Sequence, residues 1–560
     1  MVWDINGPQG NESGKIKWEI VPYTRGRGLD LGCGIQKTFP HFIGVDNGKD
    51  GTLFGHPINP DVRVTSAAEL PMFASGSMDF VFSSHLLEHF PLERFDSRKF
   101  SDPMMRALAD RKLFEKHSAL DALKEWFRVL KRDGYLVLYV PDEEQYPKVG
   151  QEGANPDHCW NCNYENVVEL VKATGSAWDL VDFQKRSAGQ EYSLLFVFRK
   201  VGSGQHFSYR HKTRPAKTVG LVRYGAYGDL LQVSSVCAEL KDQGYHVTLY
   251  TSPPGQEIIE RDPNIDAFYL QDKDQVPNHL LGEFWSYERG KYDKWINLSE
   301  SVECTLLSIP GRTVDAWSPL ARHALMNHNY VEMSHKIAGV PYTRPRVRFF
   351  AGDSERAWAK KERQRLGGAP LILWALTGSS VHKTWGGLDA TIAAILLEFP
   401  LAHVVLVGGP EAELLEQGWE NEPRVKCRSG KYSIRETMSL LEEVDVMIGP
   451  ETGVMNGGAA LGIPKIVFLS HSTHENLTRD WTNVHAIASV NTSCPGRGEN
   501  AVPACHQMHY DWSRCKQFRE PGHPQDGTAQ CQADIDGDAA WAVIRAAIAS
   551  TVPSRIIEVA

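Results

Sequence analysis

No stretch of the 560-residue chain approaches the ~18 consecutive apolar residues of a bilayer-spanning helix, so no membrane span is expected. Cysteine is sparse, ten residues in all, which excludes a disulfide-stapled scaffold. Positive charge does not predominate. Sixty Lys and Arg against 69 Asp and Glu leave a net charge of −9, which opposes a whole-molecule footprint for nucleic acid. The opening Met1-Val2-Trp3-Asp4-Ile5-Asn6-Gly7 has neither a basic start nor an apolar core, so no secretory signal is expected. What is present is ordinary for folded domains: 42% hydrophobic and 23% charged residues exclude a largely disordered chain. At about 150 residues per domain the length predicts three or four units, and the composition predicts a large cytoplasmic enzyme.

Residues 28–31, 42–45, 79–82, 135–140 and 192–198 read as buried strands. Apolar residues at three- and four-residue spacing predict a helix over 119–130. Strands alternating with helices imply a parallel sheet covered on both faces, here assigned to a domain at 1–200. Lys200, Arg210, Lys212, Arg214 and Lys217 then occur with no acidic residue and almost no aliphatic ones, so 201–217 is expected to be a solvated basic linker. Two further alternations follow. Runs at 218–222 and 245–250 open one, assigned to 218–350; runs at 370–374, 403–407, 445–448 and 465–469 form another, assigned to 351–560. The charged stretch 344–368, punctuated by Pro and Gly, predicts a hinge between them. The fold class is α/β throughout.

The sharpest local signal is Leu29-Asp30-Leu31-Gly32-Cys33-Gly34 after the first strand. Glycines at a strand-to-helix turn let the backbone approach a ligand that a Cβ would block. Asp46 ends the second strand, where a carboxylate can accept both hydroxyls of a ribose. Gln36, Lys37 and Thr38 stand where a dinucleotide fingerprint would carry its third glycine, which favours a ligand without a pyrophosphate. Ala67-Ala68-Glu69-Leu70-Pro71, Ser77-Met78-Asp79-Phe80-Val81, His85-Leu86-Leu87-Glu88-His89-Phe90 and Glu125-Trp126-Phe127-Arg128-Val129-Leu130 follow in order. With them, roughly residues 25–200 resemble the class I S-adenosylmethionine (SAM)-dependent methyltransferases. The resemblance implies a seven-stranded Rossmann-like sheet binding SAM at its strand C-termini. By position, Asp30, Gly32 and Gly34 line the methionine part, Asp46 takes the ribose, and Ser66 and Ala67 lie along the adenine; Ser66 stands where the family often has Asp. The methyl-transfer base is open among His85, His89 and His158, for each of which a structural role is the first expectation, and transfer from a sulfonium can proceed by proximity alone. Cys159-x-x-Cys162 lacks a second pair and is not expected to bind metal.

A second constellation starts at Val222-Arg223-Tyr224-Gly225-Ala226-Tyr227-Gly228-Asp229-Leu230. Asp229 opens a helix, where it can cap the helix or face a cleft as a base. Thr377-Gly378-Ser379-Ser380-Val381-His382-Lys383 places one lysine in a polar loop after a strand, and Gly408-Gly409-Pro410-Glu411 follows another. Gly449-Pro450-Glu451-Thr452-Gly453-Val454-Met455-Asn456 then precedes a small-residue segment, 457–464, expected to be helical with an anion site at its start. Over about 300 residues this order resembles glycosyltransferase family 9, the ADP-heptose heptosyltransferases. The resemblance implies a GT-B pair of Rossmann-like domains and an inverting, metal-independent transfer. In it Asp229 deprotonates the acceptor, Thr377 contacts the donor, Lys383 holds the donor phosphates, Glu411 contacts the donor ribose, and Glu451, Thr452 and Gly453 bind the donor sugar and diphosphate. Glu451 and Asn456 replace the family's usual acid and histidine there.

Asp-x-Asp matches at Asp272 and Asp534 lie outside strand ends and are expected to be solvated acids. Cys494, Cys505, Cys515 and Cys531, with His506 and His509, cluster in the tail, but their spacings fit no standard zinc knuckle, and no metal is assigned. Acceptor specificity is expected in 252–348, where His328, Trp285 and Trp295 read as packing or surface residues rather than sugar platforms. The sequence thus points to a bifunctional enzyme using SAM and an ADP-heptose-like nucleotide-sugar on a glycan or lipid-linked sugar acceptor, without metal or nucleic acid. Two alternatives remain: modification of a nucleic-acid base, suggested by the basic linker, and a non-catalytic SAM-binding module, suggested by Ser66.

Overall fold

The computed structural model describes residues 12–48, 52–53, 56–93, 103, 117–209, 213–299, 328–343, 345, 347–378, 383–470, 472–489 and 528–552. Cys494, Cys505, Cys515, His506 and His509 lie outside the described residues. The chain forms two compact units, one of Met1–Arg214 with Gln271–Glu288 and one of Pro215–Leu270 with Arg289–Ala560.

The first unit is built on seven strands: β1 Gly28–Leu31, β2 Ile43–Asp46, β3 Val62–Arg63, β4 Met78–Ser84, β5 Leu130–Pro141, β6 Trp178–Arg186 and β7 Ser193–Lys200. Their order is β3-β2-β1-β4-β5-β7-β6. All pairings are parallel except those of β7, which runs antiparallel to both β5 and β6. The strand order reverses between β1 and β4, and in open α/β sheets the crevice beyond the strand C-termini at that point takes the ligand. Helix α1 (Ala119–Val129) starts at Ser118, whose hydroxyl accepts from Asp121 N while Asp121 returns a bond to Ser118 N. Its apolar stripe, Ala119, Ala122, Leu123, Trp126 and Val129, is buried on the sheet. Helix α2 (Tyr164–Ala173) is capped in the same way by Asn163 and Asn166.

Two sequence expectations change here. Part of the 201–217 stretch is not a solvated linker. His206 exchanges backbone bonds with Trp178 and Leu180, Phe207 packs against the core, and the Tyr209 hydroxyl donates to Asp182. Its two aromatics supply the apolar surface that the count of charges overlooked. Segment Gln271–Glu288, assigned to the second domain by sequence, belongs to the first unit. Phe284 packs on Trp18, Gln275 donates to Val21 O, and Asp272 pairs with Arg25 at 3.0 Å and accepts from Gly26 N, so it is no free acid. Trp285 is buried, consistent with a packing role.

The second unit holds two parallel sheets. Strands β8 Thr218–Val222, β9 His246–Thr251, β10 Ala267–Leu270 and β11 Lys294–Asn297 form one, in the order β10-β9-β8-β11. Strands β12 Leu371–Ala375, β13 His403–Val407, β14 Val425–Cys427, β15 Val446–Pro450, β16 Lys465–Leu469 and β17 Val484–Ala488 form the other, in the doubly wound order β14-β13-β12-β15-β16-β17. Trp295 packs against Tyr250 and Tyr292. Helix α3 (Tyr227–Asp242) follows β8. The expected hinge at 344–368 is largely helix α4 (Asp353–Leu366). Glu355 accepts from Gly352 N at its start, Ala359, Glu362 and Leu366 are buried, and Arg435 grips Glu355. Its many charges line the outer face of a helix whose few apolar positions are correctly spaced. The small-residue segment is helical earlier than expected, as α5 (Gly453–Gly457), and 458–464 runs as turns.

Among the described residues no helix is long and apolar enough to cross a membrane. Trp126, fully buried, ties α1 to the loop after β3 by donating its indole N–H to Ala67 O at 2.9 Å. Replacing it by Phe keeps most of the ring but orphans that carbonyl, so W126F is expected to lower stability by about 1–3 kcal/mol in a urea titration.

Candidate active sites

In the first unit the turn after β1 is left-handed at Gly32 (φ +67°) and Gly34 (φ +55°). A Cβ on Gly32 would meet the Leu86 side chain at 3.2 Å, so the loop after β4 begins against the glycine turn. Asp46 stands at the end of β2, its two oxygens accepting from Gly34 N (3.0 Å) and Gly48 N (2.8 Å). Each carboxylate oxygen has a further lone pair for a hydroxyl. Asp30 is buried and accepts from Thr38 N at 2.8 Å, which braces the turn from behind. Burial pushes its pKa up to about 7, against the Thr38 hydrogen bonds and the Lys37 charge. The Ser66 hydroxyl accepts from Ala68 N within its own turn.

Beyond β4, His85 takes a left-handed conformation (φ +49°), its backbone N–H donating to Tyr139 O and its Nε2 lying 2.9 Å from Ser193 Oγ. Burial drives its pKa down to about 3, with His158, Lys15 and His89 adding to the effect. His158 falls to about 4, through burial and then His89. Glu88, which the sequence did not single out, is wholly buried, and burial raises it to about 8. Cys162 is buried and its thiol is pushed well up by burial, while Cys159 is exposed.

In the second unit one cavity of about 560 Å³ gathers Asp229, Thr377, Lys383, Glu411, Glu451, Thr452 and Gly453. These come from loops at the C-terminal ends of strands in both sheets. Asp229 Oδ1 pairs with the buried Arg223 at 2.8 Å, and Oδ2 accepts from Ala226 N at 2.9 Å. It therefore caps α3 and faces the cavity at once. Lys383 is almost fully buried; burial lowers its pKa, and the charges of Glu451 and Asp229 partly restore it. Glu451 accepts from Ser470 N and Oγ and from Ser472 N. Burial opposes its ionisation, yet the Lys383 charge and these donors outweigh it and hold the pKa below the usual range. Thr452 caps α5 by accepting from Met455 N. Glu411 sits exposed beyond Gly409.

The segments that follow the two sheets' strands meet closely at Gly228 and Gly453. A Cβ on Gly453 would lie 2.7 Å from Tyr227 Cβ, and one on Gly228 would lie 3.0 Å from Asn456 Nδ2. Gln232 of α3 donates to Asn456 Oδ1 across the same contact. Sequence reasoning missed Arg223, Gln232, Tyr330, Ser470 and Ser472 as parts of this site. Arg223, Ser470 and Ser472 all follow strand ends, where open α/β sheets place their ligands, and that rule would have found them.

A family model described as a methyltransferase domain matches residues 29–138, and one described as glycosyltransferase family 9 (heptosyltransferase) matches residues 317–501. Among solved structures, a family 9 glycosyltransferase of Veillonella parvula is 15% identical, with 61% of this chain and 100% of that one covered and a TM-score of 0.45. The iron-containing heptosyltransferase TibC of enterotoxigenic Escherichia coli is also 15% identical, with 64% and 82% covered and a TM-score of 0.40. A SAM-dependent methyltransferase of Archaeoglobus fulgidus is 16% identical, with 35% and 96% covered and a TM-score of 0.23. No curated protein matches the chain.

Two outcomes follow from this geometry. G453A forces Tyr227 to move and is expected to cost about 1–3 kcal/mol in urea unfolding, whereas G462A, with open space around it, leaves stability unchanged. Asp30 keeps its proton in the folded state up to about pH 7 but loses it near pH 4 when unfolded. The folded state thus binds more protons between those values, and stability falls as pH rises through them. D30N should flatten that slope in melting curves recorded from pH 4 to 8.

Proposed function

We propose that this chain, which carries an N-terminal methyltransferase domain and a C-terminal glycosyltransferase family 9 domain, acts with both on one glycan or on intermediates of its assembly. The glycosyltransferase takes a nucleotide-sugar of the ADP-heptose type and transfers its sugar to a hydroxyl of a glycan or lipid-linked sugar. One observation carries this reading: a single cavity faces Asp229 from one sheet towards Lys383, Glu411, Glu451 and Thr452 from the other. We place the reaction in the cytoplasm, assign the first unit, 1–214 with 271–288, to methyl transfer, and divide the second into an acceptor portion, 215–270 with 289–350, and a donor portion, 351–560.

In the transfer the acceptor oxygen attacks the anomeric carbon from the side opposite the diphosphate. The bond from that carbon to the phosphate oxygen breaks, the configuration inverts, and Asp229 takes the hydroxyl proton. Arg223 fixes the Asp229 carboxylate by one oxygen, a positioning role. Lys383 sits with Thr377 and Thr452 where the leaving diphosphate gathers charge, and a buried ammonium there stabilises the anion without a metal. The Glu451 charge opposes the lowering of the Lys383 pKa by burial, and Glu411 takes the donor ribose.

The first unit fits SAM. Gly32 and Gly34 leave the end of β1 free of Cβ atoms, and the Asp46 carboxylate stands at the neighbouring strand end. SAM, when bound, supplies an electrophilic methyl group on a sulfonium. Gly32 and Gly34 receive its methionine part with Asp30 bracing their turn, Asp46 accepts from the ribose, and Ser66 and Ala67 border the adenine, held by Trp126.

A screen of nucleotide-sugars by mass spectrometry tests the transferase half. Sugar transfer should persist in EDTA, and D229N should lower its kcat by about 10²–10⁴-fold; full turnover in D229N removes Asp229 as the base. Calorimetry tests the other half: D46N is expected to weaken SAM binding about ten- to a hundredfold, and equal affinity would refute the ribose contact.

A further inference from the structure

The loop after β4 carries a group that neither reaction described above uses. Glu88 is 0% exposed, and neither of its carboxylate oxygens has a hydrogen-bond partner. A buried carboxylate left without donors is among the costliest arrangements a fold can keep, and a bound cation is one of the few things that makes it favourable. The groups around Glu88 are imidazoles. His158 Nε2 lies 3.6 Å from Glu88 Oε1, the rings of His89 and His158 meet edge to face at 4.9 Å, and one ligand atom from each of the three residues falls within 4.8 Å of the others.

The backbone holds these residues in place. Cys159 N donates to Glu88 O at 2.8 Å and Trp160 Nε1 to Phe90 O at 3.0 Å, so the segment bearing His158 is stitched to the loop bearing Glu88 and His89. Bonds of about 2.0–2.2 Å to a divalent ion place ligand atoms some 3–3.5 Å apart. The cluster therefore closes on an ion by side-chain shifts of about an ångström or less.

We infer that Glu88, His89 and His158 bind one divalent first-row transition cation of the Zn²⁺ class, with coordination positions open to an acceptor oxygen. Two nitrogens and one carboxylate are a donor set for such ions rather than for Mg²⁺ or Ca²⁺. The place suits the role. Leu86, two residues before Glu88, abuts Gly32, so the cluster follows directly on the turn assigned to SAM. Tyr146 packs against His158 and stacks on Tyr192, and Tyr192 also meets His85, giving the cluster an aromatic wall beside it. The ion draws an acceptor hydroxyl towards ionisation. Its oxygen then bonds to the methyl carbon, the C–S bond breaks onto sulfur to leave a thioether, and the hydroxyl proton passes to solvent. This catalytic role rests on the methyltransferase reading; the binding of the ion does not.

The test uses the full chain, stripped with a chelator and titrated with Co²⁺. One equivalent with the weak visible bands of nitrogen and oxygen ligands is expected for the native chain. That equivalent should be lost in E88Q and in H158A, while Co²⁺ bound by cysteines elsewhere would show thiolate charge-transfer bands and persist in both. Zn²⁺ should raise the melting temperature of the native chain and not that of E88Q; if one variant fails to fold, as judged by circular dichroism, the other decides. Identical Co²⁺ spectra and stoichiometry in native and variant chains, or no bands of nitrogen and oxygen ligation at all, would overturn the site. Co²⁺ bound as expected in a chain that binds no SAM by calorimetry would leave the site standing and refute the methyltransferase reading instead.

Discussion

The contact between the first turn of α3 and the first turn of α5 admits no side chain at Gly453, where a single added carbon would collide with Tyr227. That approach puts an acid from one sheet into the same cavity as a lysine and an acid from the other. Neither sheet alone encloses a site; each supplies strand ends, and the cavity exists where those ends face each other. The Gln232–Asn456 hydrogen bond fixes the register of this approach, and α3 transmits it, because its first turn carries Asp229 and its second carries Gln232.

Inside that cavity the charges are held by their neighbours. Glu451 is wrapped by the donors of Ser470 and Ser472 and by the field of Lys383; burial lowers the pKa of the nearly dry Lys383, and the charges of Glu451 and Asp229 oppose that shift; Asp229 is tethered by Arg223. In a low-dielectric site such fixed charges need little reorganisation when a substrate develops charge of its own. Removing one member takes a countercharge from its neighbours, so single substitutions disturb the whole set.

The strands and their alternation were legible because buried parallel strands are short apolar runs. The strand-end motifs followed because Gly, Asp and Lys after such runs have few other reasons to be there. The remainder was obscured by composition. Phe207 and Tyr209 were hidden among basic neighbours. Helix α4 was hidden by eight charged residues in its fourteen, although Ala359, Glu362 and Leu366 keep helical spacing. The role of 271–288 depends on Trp18, Val21 and Arg25, some 250 positions earlier, and no local pattern reveals a partner at that distance. Glu88 sat in a motif whose two histidines drew attention, while the burial that makes the carboxylate unusual is a property of tertiary structure alone.

The membership of Gln271–Glu288 in the first unit bears on how this polypeptide can be taken apart. The chain passes from one unit to the other three times, at 214–215, 270–271 and 288–289. A single scission after Arg214 therefore yields no two self-sufficient pieces: the leading fragment forfeits the ring of Phe284 from the face of Trp18 and the carboxylate of Asp272 from Arg25, and the trailing fragment carries an orphaned stretch between two of its strands. The units are interleaved in covalent order rather than strung end to end, and any history of their joining has to account for a return crossing as well as a fusion.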